Sequence, residues 1–82
     1  MVYVKTFHKM QPRLCVPNYY HLVVIHPEKG RMEMTSGQGM PKPSPEDWAA
    51  YNAAQGLIGG DGEGYYPEAE LPEALQAWVQ QY

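Results

Sequence analysis

The sequence is short of aliphatic residues. Leu, Ile, Val and Phe together number 14 of 82, about 17%. A share this low marks disorder when net charge is high. Here the formal net charge is only −3, and seven Tyr, two Trp and five Met supply apolar area instead. The composition therefore predicts a single small folded domain, residues 1–82, with a thin core built on aromatics and Met. Cysteine is almost absent. The lone Cys15 excludes an internal disulfide and a thiolate-rich zinc site. It suits a reducing, cytoplasmic setting, and its neighbours Leu14 and Val16 give it the character of a small buried hydrophobe. No apolar run approaches the ~18 residues of a membrane helix. The start, Met1 to Lys5, lacks the basic-then-apolar layout of a signal peptide. Eight Gly and eight Pro exclude long regular elements.

Positive charge is missing from half the chain. Residues 1–42 hold all six Lys and Arg against two acids, a net +4, whereas residues 43–82 hold seven acids and no base, a net −7. Such asymmetry marks either an interaction surface or two halves that attract each other within one fold, with acids at helix starts. Six bases spread over 42 residues form no basic cluster, and the total charge opposes phosphate binding.

Residues 2–8 are β-branched and aromatic and predict a strand, with Val2, Val4 and Thr6 on one face and Tyr3, Lys5 and Phe7 on the other. Pro12 and Pro17 frame an irregular stretch. Tyr19 to His26 is apolar on both faces at its centre, which predicts a central strand covered on both sides. His26-Pro27-Glu28-Lys29-Gly30-Arg31 reads as a hairpin loop, and Arg31 to Thr35 alternates with Met32 and Met34 inward. After a Gly- and Pro-rich linker, Ser44-Pro45-Glu46-Asp47 is a helix start: a capping hydroxyl, Pro in the first turn, then acids at the positive helix end. Trp48, Tyr51, Ala54 or Gln55, and Ile58 recur at helical spacing, and Gly59-Gly60 stops the helix. Residues 59–64 read as a flexible loop, followed by Tyr65-Tyr66-Pro67 as a short extended piece or an anchor. A second helix starts near Leu71-Pro72-Glu73, with Leu71, Leu75, Trp78, Val79 and Tyr82 in one stripe. The expected fold is α+β: an antiparallel sheet of about three strands over residues 2–36, then two helices packed on one face.

No motif carries chemistry. The loop Gly59–Gly64 lacks the phosphate-loop Lys-Ser/Thr, and its acids would repel phosphate. As a calcium loop it fails at Tyr65 and Pro72. His21 and His26 fall on opposite faces of a regular strand, leaving His8 with His21 as the one metal-binding pairing to consider. Cys15 has no catalytic signature around it, and acids in loops are poorly placed for acid–base work. No enzyme activity, cofactor or metal is expected.

By exclusion and by charge layout, the sequence points to a small non-enzymatic protein-binding module. An inhibitor or adaptor fits, of the kind that phage-type antagonists of host defence complexes represent by analogy. Its surface would be Asp61, Glu63, Tyr65, Tyr66, Glu68 and Glu70, set against a basic partner, since Tyr gives large contact area at low entropic cost. One alternative is single-stranded nucleic-acid binding on the N-terminal sheet, with bases stacked on Tyr3 or Tyr19 beside Lys5, Lys9 and Arg13. Another is a metal- or thiol-dependent enzyme. A homodimer through the helical stripe ending at Tyr82 is a further expectation.

Overall fold

A computed structural model describes residues 1–11 and 16–82. Pro12, Arg13, Leu14 and Cys15 lie outside the described residues, and with them the expectations placed on the thiol of Cys15 and the charge of Arg13.

The fold is α+β. Strands β1 (Val2–Gln11), β2 (Val16–His26) and β3 (Gly30–Gly37) form a meander, followed by helix α1 (Pro45–Ile58), strand β4 (Gly62–Tyr66), a single 3₁₀ turn (Glu68–Glu70) and helix α2 (Glu73–Gln80). The sheet is antiparallel throughout, in the order β3-β2-β1-β4. The segment 59–64, expected to be a flexible loop, instead supplies most of a fourth strand. β4 pairs with β1 from Val2↔Tyr66 to Thr6↔Gly62.

Both helices lie on one face of the sheet. Val2, Val4, Leu22, Val24, Met32 and Met34 from the strands meet Ala50, Tyr51 and Ala54 of α1 and Leu75, Trp78 and Val79 of α2. Full burial of each large apolar side chain contributes about 1.5–3 kcal/mol, so this single layer is the core. At one end Tyr20 stands edge-on to Trp48 (4.9 Å between ring centroids) and Tyr51 (5.3 Å), aromatic area filling in for scarce aliphatics. β2 is indeed central, but among the described residues the helices cover it on one side only, because α1 and α2 share a face.

Local chemistry fixes the elements. Ser44 caps α1 in a reciprocal box with Asp47, and Gly59 closes the helix in the left-handed region at φ 82°. His26 organises the β2–β3 turn. Its Nδ1 accepts from the backbone N–H of Glu28 (3.1 Å) and Lys29 (3.2 Å), which leaves the ring proton on Nε2, facing Glu68 Oε1 at 3.2 Å. Gln76 ties the start of α2 to the 3₁₀ turn by donating to the carbonyls of Leu71 and Ala69. None of the helices described is long and apolar enough to cross a membrane.

Candidate docking face

Strand alternation sends every second residue away from the helices, and the antiparallel register aligns those residues in rows. The first row runs Arg31–Ile25–Tyr3–Tyr65 and the second Glu33–Val23–Lys5–Glu63. The third is Thr35–His21–Phe7 and the fourth Gly37–Tyr19–Lys9. No element covers them among the described residues. Ile25 is 41% exposed, Phe7 44% and Tyr65 68%, whereas Val23 at the centre is only 5% exposed because its taller neighbours close around it.

The first two rows border a groove of about 610 Å³. Its walls are Tyr3, Tyr65, Met1 and Pro27, its floor is Val23 and Ile25, and its polar groups come from Lys5, Arg31, His21 and Glu63. The rings of Tyr3 and Tyr65 pack at 5.2 Å between centroids. Farther along the face, Phe7, Tyr19 and His21 form a second cluster, with centroids 6.2 Å and 6.0 Å apart along the series.

The carboxylates on this face are held by donors from neighbouring strands and, for Glu33, also from its own. The Tyr3 hydroxyl donates to Glu63, and this bond, more than partial burial or the charge of Glu63, raises the phenol above its ordinary value. Glu33 is bonded by His21 Nε2 at 2.7 Å and by Arg31 at 3.3 Å. The His21 bond foremost and the Arg31 bond second hold its carboxyl below the usual range.

The six residues singled out in the sequence divide among five places. Glu63 and Tyr65 stand on the open face along β4. Asp61, just before the strand, accepts from the His8 backbone N–H at 3.3 Å and lies 2.6 Å from His8 Nδ1. Tyr66 turns to the opposite side and packs partly buried against the core. Glu68 joins His26 at the sheet end, and Glu70 is exposed at the end of the 3₁₀ turn. The adjacent tyrosines thus send one ring out and one in, as extended backbone requires.

The His8–His21 pairing is not formed. His8 is in register with Tyr20 and His21 with Phe7, so the two imidazoles leave opposite faces of the sheet. Among the described residues no three His, Cys, Asp or Glu side chains converge as metal ligands. Ile25, Val23 and Arg31, which complete the groove, are not among the residues the sequence singles out. Their signal is the second apolar face of β2, which no element covers among the described residues. No protein-family model, curated protein or solved structure matches the chain.

Proposed function

We propose that this chain is a small non-enzymatic protein-binding module, an inhibitor or adaptor, that docks a partner on the uncovered sheet face. The observation that carries the reading is the combination of exposed Ile25, Phe7 and Tyr65 around nearly buried Val23 on a face that neither helix covers. Apolar and aromatic side chains rimmed by charge are the usual composition of a protein interface core and its rim. The rim along β4 is acidic. Glu63 belongs to it, Asp61 precedes the strand, and Glu68 and Glu70 continue the acidic run beyond Pro67. A partner presenting an apolar anchor flanked by Lys or Arg is complementary to this surface.

The test is affinity capture from host extract with three baits. These are the wild-type chain, the double variant Ile25→Ser/Tyr65→Ser, and a variant with Asp61→Asn, Glu63→Gln, Glu68→Gln and Glu70→Gln. The expected result is a protein that the wild type retains, that the first variant loses, and that the second binds more weakly, with a flatter salt dependence. Equal capture by all three baits refutes the assignment to this face. A second reading, single-stranded nucleic acid stacked on the face, is favoured by one feature: the rings of Phe7, Tyr19 and His21 lie beside Lys5 and Lys9. Anisotropy titrations with labelled single strands at low salt address it. Binding that disappears in Lys5→Gln/Lys9→Gln would transfer the face to nucleic acid.

A further inference from the structure

The outer side of β3 is a second, independent surface. Its eight residues pair with β2 on one side. Among the described residues, no backbone group of another segment bonds residues 31–36 from the other side. The strand contains no proline and its pairing shows no register shift, two devices that usually keep an edge from recruiting another strand. The charges along its open-face side, Arg31 then Glu33, are of opposite sign and separated by one residue.

We propose that β3 pairs antiparallel with β3 of a second copy of this chain, about a two-fold axis passing beside Met32. The register follows from parity and charge. A two-fold axis perpendicular to the sheet keeps each open face on its own side, so only residues of the same face can oppose each other. An axis at Arg31 sets the two Arg31 side chains against each other, and an axis at Glu33 does the same with the two glutamates. An axis at Met34 sets Glu33 against Thr35, with no opposite charge. Only the axis at Met32 places Arg31 of each copy opposite Glu33 of the other, giving two complementary cross-strand pairs. The other edge cannot repeat this. β4 is five residues long and carries Glu63 with no base, so self-pairing there supplies no opposite-charge contact. The β3 pairing joins two four-stranded sheets into one of eight strands and sets two open faces side by side. It does not depend on what those faces bind.

Sedimentation equilibrium of the full chain up to about 1 mM, a weak-association limit, tests the pairing. The wild type is expected to form a salt-sensitive dimer. Arg31→Glu and Glu33→Arg each turn both cross-strand pairs into like-charge contacts, and each is expected to weaken self-association about tenfold or more. Mixing the two variants restores both pairs, so a heterodimer forms at wild-type strength. Near-UV circular dichroism confirms that both variants are folded. A monomeric wild type across the range, a dimer indifferent to both reversals, or a failure of the mixture to associate would each overturn the proposal.

Discussion

Asp47 joins α1 to α2 by a hydrogen bond added to their apolar contacts, and its removal has a calculable cost. Its Oδ2 accepts from the Ser44 backbone N–H at 3.3 Å, while its own N–H donates to Ser44 Oγ at 3.1 Å. Its Oδ1 accepts from the indole N–H of Trp78 on α2 at 2.9 Å. Trp78 is 1% exposed, so water does not readily replace that acceptor. Asp47→Ala therefore loses half of the capping box, about 0.5–1 kcal/mol, and leaves a buried donor unsatisfied, about 1–3 kcal/mol. The expected total is roughly 1.5–4 kcal/mol. A chain of this length has only about 4–12 kcal/mol of stability, so the loss is large. Ser44→Ala removes the cap alone and is expected to cost about 1 kcal/mol. Urea unfolding followed by tryptophan fluorescence measures both. In a Trp78→Phe background the indole donor is gone, and Asp47→Ala should then cost less by about 1–2 kcal/mol. Equal losses for Asp47→Ala and Ser44→Ala, with no coupling to Trp78→Phe, would refute the bridging role.

Other outcomes follow from the open face and from two glycines. Glu33, held below the ordinary range by His21 and then Arg31, contributes stability that is present above its unfolded-state value and lost as pH falls through its folded value. Carbon-detected NMR titration should place its midpoint on the acid side of a normal glutamate, and His21→Ala should move it back further than Arg31→Ala does. The Tyr3 phenol, raised chiefly by its bond to Glu63, should titrate at lower pH in Glu63→Gln, read by ultraviolet absorbance. A Cβ at Gly64 would lie 2.8 Å from the Tyr66 hydroxyl oxygen and 3.0 Å from two of its ring carbons. Gly64→Ala should thus destabilise by about 1–3 kcal/mol. Gly56→Ala, on an exposed helical position with no atom within 4 Å, should stabilise by about 0.5–1 kcal/mol; a chemical-unfolding series showing the same sign for both glycines contradicts the packing at Gly64.

The parts of the fold legible in the sequence were those specified by local rules. Ser44, Pro45 and Asp47 announce the start of α1 and Gly59 its end, because capping needs only a few adjacent residues. The stripe Leu71, Leu75, Trp78 and Val79 announces the buried face of α2. Strand β4 escaped because its sequence, Gly-Glu-Gly-Tyr-Tyr, opposes strand propensity. Those glycines are explained by tertiary approach. Gly62 lies under Ile58 of α1, where a Cβ would sit 3.2 Å from the Ile58 Cγ2, and Gly64 lies under the ring of Tyr66. Only the packed structure reveals why side chains are absent there. The open face was half legible. The apolar residues of β2 were evident, but which of its faces the helices choose depends on long-range packing, and the natural inference from two apolar faces was two covers.

The charge asymmetry acquires a sharper meaning from the bonds that cross between the halves. Asp61 meets His8, Glu63 meets Tyr3, and Glu68 meets His26, so acids of the second half are matched by groups of the first. Internal attraction is thus real, yet the matching groups are a phenol and two imidazoles. Among the described residues, the one Lys or Arg in an ion pair is Arg31, and its partner is Glu33, from the same half. Lys29 donates instead to the carbonyl of Val79 at the end of α2. The Tyr3 phenol orients the Glu63 carboxylate without cancelling its charge. The fold therefore fixes the position of Glu63 on β4 while leaving its charge on the open face. A preorganised acidic rim beside an uncovered aromatic face has the composition that complementarity to a basic partner requires, at little entropic cost on binding.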